Sequence, residues 1–484
     1  MYNLGGGLSS VVMMLVTVPA YIHLVGEARY GVLAIVWVLC GYFSFFDFGL
    51  GQATAYAIAR HKDDSDEVRA TTFWTALIIN CGLGLIGAII MLAVAPLLFN
   101  HVFNLTPELR AELRPALPWL ALSIPLLTFE GVFSGALTGR EKFLLLNARK
   151  ILGTAITQLL PIVCVWAISP SLQVAVPATI IARMISVSTL ALIAFKSVPA
   201  SLKPRCGGRA MMKDLLGYGG WVSLTSFLIP LIDNLDRFVI ASVMTPQSVA
   251  YYVVPYQLVT RASILSSSLS NALFPRLARL DPDSARELAW KGIRLNGLFM
   301  AIPCMIGILI LEPFLSIWIS AEFAEKSAIV GQMIALSLWI NAMALIPFNL
   351  LQAQGRPKET AAIMFLQIIP YAAVAVPAIR AWGLVGATVG RNVRTLADFF
   401  MLVQRAGLLG RLMKFAGPAF LLLIATIAAE RLLNVTTLPG AVAMMALFAL
   451  AGLWVYAWSP EVRHIVRTRS FRPSDLRAAI NGDT

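Results

Sequence analysis

Deep inside long apolar stretches of the sequence lie four arginines, which are Arg183, Arg261, Arg391 and Arg394. An ionisable side chain at bilayer depth costs at least about 2.5–3.5 kcal/mol, so such residues usually serve a function. A guanidinium group is planar and donates several hydrogen bonds at once, which suits the oxygens of a phosphate. These arginines therefore predict a binding site for an anionic substrate. The alternative is a structural role, in which each arginine pairs with a carboxylate or with helix carbonyls.

The spacing along the chain places these arginines near the middle of a bilayer. Arg183 lies about eleven residues, or about 16 Å, inside its apolar stretch at a rise of about 1.5 Å per residue. The hydrocarbon core is about 30 Å thick, so this position is close to the midplane. Arg261 and Arg391 reach similar depths by the same count. Arg394 follows three residues after Arg391, on nearly the same helix face.

A second set of charged residues could act in coupling or gating. Asp398 follows Arg394 by four residues, so the two can pair on one helix face, which weakens Arg394 as a ligand. Asp233 precedes Arg237 by the same spacing, and a structural ion pair and a gating role both remain open for them. Asp236 is adjacent to Arg237 in sequence and cannot face it on the same helix.

Two further carboxylates complete the set of candidates for coupling. Glu130 lies inside an apolar stretch and is the best candidate to carry a proton or to bind a cation. Asp47 is followed by Gly49 and Gly51, so helix termination is its preferred interpretation. H⁺ or Na⁺ is the expected coupling ion. The histidines have no metal-ligand spacing, so we expect no metal site, no cofactor and no catalytic residue.

Membrane helices must position these side chains. Hydrophobic residues make up 58% of the 484 residues and charged residues only 13%, whereas soluble domains carry about 25% charged residues. A run of about 18 apolar residues can span a bilayer, and a helix satisfies its own backbone hydrogen bonds there. We therefore predict an all-α polytopic membrane protein with about 14 transmembrane helices. The runs lie near 8–25, 30–50, 71–98, 115–137, 150–168, 172–195, 215–243, 248–273, 295–319, 328–351, 360–379, 382–403, 414–430 and 438–457.

The distribution of positive charge predicts the orientation. Most of the 38 Lys and Arg residues fall in alternate loops and in the C-terminal tail. This positive-inside pattern places both termini in the cytoplasm. The net charge of +13 is accounted for by this orientation, so we expect no nucleic-acid partner.

The loops also predict how the chain is divided. Residues 196–213 contain several Pro and Gly residues and form a cytoplasmic linker between two six-helix lobes, 1–195 and 214–404. Helices 13 and 14 follow over 405–458, and a basic cytoplasmic tail covers 459–484. The choice between 12 and 14 helices depends on this last pair.

The two lobes carry traces of a repeat. Gly139-Arg140-Glu141-Lys142 in the loop between helices 4 and 5 matches Gly355-Arg356-Pro357-Lys358 in the loop between helices 10 and 11. A duplicated unit with an even number of helices keeps its topology. The copies are then related by an axis along the membrane normal, with a central substrate cavity between them.

Several short motifs resemble a known family of transporters. The chain is similar to the polysaccharide transporters, or O-antigen-type flippases, of the multidrug/oligosaccharidyl-lipid/polysaccharide exporter superfamily. The motifs that carry the resemblance are Gly-Glu-Ala-Arg-Tyr-Gly at 26–31, Phe-Asp-Phe-Gly-Leu at 46–50, Thr-Gly-Arg-Glu-Lys-Phe at 138–143, Asn-Leu-Asp-Arg-Phe-Val-Ile at 234–240 and Leu-Phe-Pro-Arg-Leu at 273–277. Each motif is degenerate, but their order and spacing together are more specific.

The resemblance implies a function in the biosynthesis of cell-surface polysaccharide such as O-antigen or exopolysaccharide. Members of this family are expected to flip a polyprenyl-diphosphate-linked oligosaccharide across the bacterial cytoplasmic (inner) membrane, which is where the resemblance places this protein. Alternating access of a cationic central cavity would move the substrate. The expected partners are this lipid-linked glycan, the membrane lipids, and a polysaccharide polymerase with its glycosyltransferases.

Three alternatives compete with this interpretation. A lipid II flippase is a close variant that the residues do not exclude. A cation-coupled multidrug exporter of the same superfamily would favour a cavity dominated by carboxylates, whereas arginines dominate here. A membrane-embedded glycan polymerase is an enzyme that needs sizeable outside loops, and the longest such loop, 99–114, is short. We therefore expect a transporter and not an enzyme.

Overall fold

The computed structural model describes the chain as helices joined by short connections. It contains no strand in the described residues, which are 2–60, 65–198, 204–205, 207–209, 211–213, 232, 234–433, 438–458 and 463. The prediction of an all-α polytopic membrane fold is confirmed. Contacts between Cα atoms divide the chain into two compact units, Met1–Val253 and Val254–Thr484, which we call unit 1 and unit 2.

Unit 1 contains the helices up to the first half of α10. They are α1 (Tyr2–Val25), α2 (Glu27–Phe43), α3 (Leu50–Arg60), α4 (Asp66–Leu97), α5 (Pro107–Leu113), α6 (Leu117–Gly139), α7 (Phe143–Ala167), α8 (Leu172–Ser197), α9 (described over 234–243) and α10 (Pro246–Thr260). A 3-10 turn, Ser44–Asp47, follows α2, and a π-helical turn, Leu98–Val102, follows α4. The predicted linker at 196–213 lies partly outside the described residues, and the predicted lobe boundaries stay predictions.

Unit 2 contains the remaining helices. They are α11 (Ser263–Leu277), α12 (Pro282–Trp318), α13 (Ala321–Ala353), α14 (Pro357–Arg405), α15 (Leu409–Leu432) and α16 (Leu438–Trp458). Gly383 has φ 57° and ψ −134° inside α14, so this long helix is two helices joined at one residue. Glycine tolerates this conformation because it has no Cβ. The break falls where the sequence predicts the boundary between two apolar runs.

Within the described residues, 10 helices are long and apolar enough to cross a membrane. The count treats α14 as a single span, although it is broken at Gly383. α10 and α11 have 15 residues each, and α9 is described only in part. The number of 14 transmembrane helices therefore stays a prediction.

The helix predicted over 248–273 is interrupted, which corrects the expectation that Arg261 lies inside a helix. Arg261 lies in the turn between α10 and α11. Pro255 has no N–H to donate within α10. Thr260 Oγ1 donates a 2.7 Å hydrogen bond to the carbonyl oxygen of Tyr256, and such hydroxyl bonds to the preceding turn bend helices. Both features weaken α10 just before the turn.

Polar caps fix where two of the helices begin. Thr106 accepts a 3.4 Å hydrogen bond from the N–H of Leu109 and starts α5, which the hydrophobic pattern did not predict. Asp281 accepts hydrogen bonds of 3.1 Å from the N–H groups of Asp283 and Ser284 at the start of α12. A proline occupies the first position of each helix, where its missing N–H costs nothing.

Glycines allow α3 and α6 to pack closely in unit 1. Gly131, Gly135 and Gly139 recur every four residues and share one face of α6. A Cβ atom on Gly135 would lie 2.1 Å from the carbonyl oxygen of Gly51, and one on Gly139 would lie 2.7 Å from that of Ala55. Small residues at this spacing let helix backbones approach each other in membranes.

Hydrogen bonds from two tryptophans and an asparagine join neighbouring helices of unit 2. Trp339 of α13 donates a 2.9 Å hydrogen bond from Nε1 to the carbonyl oxygen of Gly297 in α12. Trp454 of α16 donates a 3.1 Å hydrogen bond to the carbonyl oxygen of Phe415 in α15. Asn296 adds a 2.9 Å bond from α12 to an α13 carbonyl. Because these donors are satisfied, large aromatic side chains can be buried without unpaired N–H groups.

We expect Gly135→Ala to lower the melting temperature of the purified protein in detergent. The new Cβ would push α3 and α6 apart, and overpacking of this kind costs about 1–3 kcal/mol. Gly82→Ala is the matched control, because a Cβ there meets nothing within 4 Å and alanine favours a helix more than glycine does. A melting temperature for Gly135→Ala at or above that of Gly82→Ala would contradict the close contact.

Candidate anion-binding clusters

Three helices of unit 1 bring two arginines against one glutamate. Arg149 Nη1, on α7, lies 3.8 Å from Oε1 of Glu130 on α6. Arg183 Nε, on α8, lies 3.9 Å from Oε2 of the same carboxylate. Arg149 Nη2 also donates a 2.7 Å hydrogen bond to Ser186 Oγ on α8. We call these four residues the unit 1 arginine cluster.

The unit 1 arginine cluster carries more positive than negative charge. Its two guanidinium groups share one carboxylate at distances that allow ion pairing but are too long for hydrogen bonds. The Arg149 side chain is only 6% exposed, and its Nε has no hydrogen-bond partner among the described residues. Arg183 and Glu130 are about one-third exposed. An anion with several oxygens would therefore find donors that the protein leaves incompletely satisfied.

Arg149 is the residue of this cluster that the sequence reasoning missed. The chain begins α7 at Phe143, earlier than the apolar run, so that Arg149 lies within the helix and not in the loop before it. Gly153, one turn later, makes room for the arginine. A Cβ at Gly153 would lie 3.0 Å from Arg149 Nη1 and 2.7 Å from Ser186 Oγ. The sequence feature that could have identified Arg149 is the glycine four residues after it.

Two aromatic side chains hold the arginines of unit 2. The guanidinium carbon of Arg391 lies 4.7 Å from the ring centre of Tyr256. Arg391 Nη2 also donates a 3.3 Å hydrogen bond to the Tyr256 hydroxyl. The guanidinium of Arg394 lies 5.5 Å from the ring centre of Tyr371. We call these four residues the unit 2 arginine cluster, in which cation–π contacts stabilise both positive charges.

Polar side chains on α14 fix the helix segment that carries Arg391. Asn392 accepts a 2.9 Å hydrogen bond from Ser337 Oγ and donates a 3.0 Å bond to the carbonyl oxygen of Met333, both on α13. These bonds set the rotation of α14 against α13. Arg391, the preceding residue, is 5% exposed and points toward Tyr256 of α10.

The other charged candidates are not among the residues that define the two clusters. Gln367 Nε2 donates a 2.5 Å hydrogen bond to Asp398 Oδ1, and the proposed pairing of Asp398 with Arg394 stays a prediction. Asp236 is fully buried on α9 and accepts a 2.5 Å hydrogen bond from the Tyr252 hydroxyl. Arg261 is half-buried in its turn, outside either cluster.

Residues near Asp236 are only partly described. Asp233 lies outside the described residues, so its pairing with Arg237 stays a prediction. Arg237 itself is half-buried on α9. The coupling and gating roles of these residues also stay predictions.

Asp47 has a structural environment, as its sequence context favours. Asn80 Nδ2 donates hydrogen bonds of 2.9 Å to Asp47 Oδ1 and to the carbonyl oxygen of Thr128. The N–H of Gly51 lies 3.4 Å from Asp47 Oδ2, at the beginning of α3. The carboxylate thus joins the α2–α3 turn to α4. In the part of the chain that the structure describes, no three His, Cys, Asp or Glu side chains are grouped to hold a metal ion.

Comparison with known sequences identifies relatives. A profile for a family described as "Polysaccharide biosynthesis protein" matches residues 23–328. A putative O-antigen transporter of Shigella flexneri is 28% identical over 381 residues, which cover 78% of this chain and 89% of the relative. The uncharacterized membrane protein EpsK of Bacillus subtilis (strain 168) is 21% identical over 387 residues, which cover 75% and 73%.

Comparison with solved structures identifies the same fold in transporters. The lipid II flippase MurJ, in an inward closed conformation, aligns with a TM-score of 0.70 and 11% identity over 94% of this chain and 98% of MurJ. An inward-facing multidrug resistance MATE family transporter of the MOP superfamily aligns with a TM-score of 0.66 and 16% identity, over 85% and 95% of the two chains. At these identities the likeness concerns the fold alone.

We expect Ser186→Ala to destabilise unit 1 by about 1.5–3 kcal/mol, because the buried Arg149 guanidinium loses a charge-assisted hydrogen bond. The measurement is the free energy of unfolding in detergent micelles. Ser268→Ala is the control, since its hydroxyl only donates to a carbonyl of its own helix at an exposed position. If both variants unfold at the same free energy as the wild type, the Arg149–Ser186 bond does not hold the cluster.

Proposed function

Because the chain belongs to the polysaccharide biosynthesis protein family, within the transporters of the MOP superfamily, we propose that its substrate is a polyprenyl-diphosphate-linked oligosaccharide. In this proposal the protein flips the lipid-linked glycan from the cytoplasmic to the outer leaflet of the cytoplasmic membrane. The glycan is destined for cell-surface polysaccharide. The similarity to the Shigella flexneri relative, a putative O-antigen transporter, supports this substrate class.

The surplus positive charge of the unit 1 arginine cluster is the observation that carries the proposal. A diphosphate presents several anionic oxygens, and two guanidinium groups can each donate to them in a forked geometry. Arg149 and Arg183 share only Glu130, so binding a diphosphate would supply the missing negative charge. A cationic drug would instead meet net positive charge at this position, which disfavours the multidrug-exporter alternative.

Glu130 gives the cluster a way to release its ligand. The carboxylate lies close enough to both arginines to compete with a bound phosphate. Binding of the diphosphate would draw the guanidinium groups away from Glu130, and their return would help the product to leave. A transporter needs such balanced affinity, because a substrate that binds too tightly in one state is not released in the next.

The unit 2 arginine cluster has its own cationic and aromatic character. The ring faces of Tyr256 and Tyr371 lie against the guanidinium groups of Arg391 and Arg394, and these positive charges would attract an anionic group. Aromatic rings also stack on sugar rings, so this cluster suits part of a charged glycan. Alternating access would expose the clusters to one side of the membrane at a time.

Further features of the proposal follow from the predicted topology. Both termini are cytoplasmic, and H⁺ or Na⁺ drives the cycle through a carboxylate such as Glu130, Asp236 or Asp398. The protein passes its substrate between glycosyltransferases and a polysaccharide polymerase and catalyses no covalent step itself. Its chemistry consists of recognising the diphosphate and moving the glycan.

A reconstituted transport assay tests the proposed substrate. Proteoliposomes would contain a short-chain polyprenyl-diphosphate oligosaccharide, and an external membrane-impermeant glycosidase would report the glycan that reaches the outer leaflet. We expect rapid exposure with the wild type. Arg149→Gln and Arg183→Gln should each slow exposure at least about tenfold, because each removes a charge-assisted contact to phosphate that contributes about 1.5–3 kcal/mol.

Arg205→Gln is the control for loss of a paired arginine. Arg205 lies 2.9 Å from Glu67 in an exposed ion pair outside the apolar spans, so this variant should transport like the wild type. If Arg149→Gln, Arg183→Gln and Arg205→Gln all transport at the wild-type rate, the unit 1 arginine cluster has only a structural role. Absence of exposure in the wild type, together with efflux of a cationic dye, would replace the proposal with the multidrug-exporter alternative.

A further inference from the structure

A pocket of about 800 Å³ in unit 1 lies apart from both arginine clusters. One wall is the end of α4 and its π-helical turn, and the other is the short helix α5 with the start of α6. Its polar lining consists of Asn100, His101, Arg110 and Arg114, and contains no carboxylate. Apolar residues complete the walls.

Among the described residues, neither arginine of this pocket has a counter-ion, since no carboxylate there lies at ion-pair distance from Arg110 or Arg114. Arg110 donates only a weak 3.5 Å hydrogen bond to the carbonyl oxygen of Leu105, and its buried Nε has no partner in that part of the chain. Arg29, by contrast, forms a 2.5 Å ion pair with Glu112.

The short helix α5 carries Arg110, and Arg114 is the first residue after it, at the start of a 3-10 turn over Arg114–Ala116. Leu109 and Leu113 are buried on one face. Arg110 and Arg114 are one turn apart on a different face, with Ala111 beside them. The acidic residue Glu112 points elsewhere, to Arg29, so it does not neutralise the pocket.

An exposed apolar stripe on α4 leads into the same pocket. Leu85, Ile89 and Leu92 are 54%, 66% and 50% exposed. They recur at spacings of four and three residues, so they share one helix face with Pro96 at the pocket wall. The stripe from Leu85 to Leu92 is about 10 Å long at a rise of about 1.5 Å per residue. Arg110 and Arg114 therefore lie at the end of an apolar surface that can hold a hydrocarbon chain.

We infer that this pocket binds a lipid with an anionic phosphate headgroup. Arg110 and Arg114 bind the phosphate oxygens, with Asn100 as a further donor, and the hydrocarbon chain follows the apolar stripe of α4. The charge complementarity and the adjoining apolar surface together select a lipid phosphate over a soluble anion. A glycerophospholipid and a polyprenyl phosphate share this chemistry, and the site is independent of the two arginine clusters.

Native mass spectrometry of the full-length protein in detergent can measure this binding. The probes are phosphatidylglycerol, a polyprenyl phosphate, and phosphatidylcholine with the same acyl chains as the phosphatidylglycerol. We expect the double variant Arg110→Gln/Arg114→Gln to bind at least one of the two anionic lipids about tenfold more weakly than the wild type, whereas phosphatidylcholine should bind both proteins equally. The lipid that loses affinity identifies the source of the phosphate.

Two further variants separate the pocket from a general charge effect. Ala111→Trp keeps both arginines but fills the pocket from an exposed helix position, so it should weaken the same lipid. Arg380→Gln removes an exposed arginine of unit 2 and should bind like the wild type. Unchanged binding of both anionic lipids in the double variant and in Ala111→Trp would overturn the inference. If an equal concentration of inorganic phosphate displaces the lipid, the hydrocarbon chain does not contribute to binding, and the inferred role of the apolar stripe is overturned.

Discussion

The sharing of one carboxylate by two arginines inside an apolar helix bundle constrains the rest of the structure. A guanidinium group at bilayer depth is stable only where other groups compensate its charge. Glu130 compensates half of the charge of Arg149 and Arg183, and Ser186 takes one of the remaining donors. The three helices that carry these residues must therefore keep a fixed rotation and depth. The glycine face of α6 against α3 holds one of them in place.

The two units stabilise their arginines by different physical means, with different consequences for a ligand. In unit 1 the compensating groups include a carboxylate, so an incoming anion would compete with Glu130. In unit 2 they include the ring faces of Tyr256 and Tyr371, which an anion would not displace. The first arrangement suits reversible exchange of an anion. The second suits a persistent contact.

The sequence predicted the class of fold well, because a run of apolar residues long enough to span a bilayer has few structural alternatives. It also identified Arg183, Glu130 and Arg391 as the charges to examine. It missed Arg149 because hydropathy marks the apolar run, which begins at residue 150, and not the helix start at Phe143. It placed Arg261 in a helix because hydropathy does not register the proline and hydroxyl groups that weaken α10. The tyrosine partners in unit 2 join distant parts of the chain, which spacing cannot reveal.

Competition between Glu130 and a phosphate for Arg149 and Arg183 can be measured at equilibrium. Isothermal titration of a short-chain polyprenyl diphosphate into the purified wild type and into Glu130→Gln would give the two dissociation constants. Glutamine keeps the size of the side chain but removes its charge. We expect Glu130→Gln to bind the diphosphate more tightly, by about tenfold for about 1.4 kcal/mol of lost competition. Equal or weaker binding would contradict it, and Glu130 would then be a structural partner of the arginines alone.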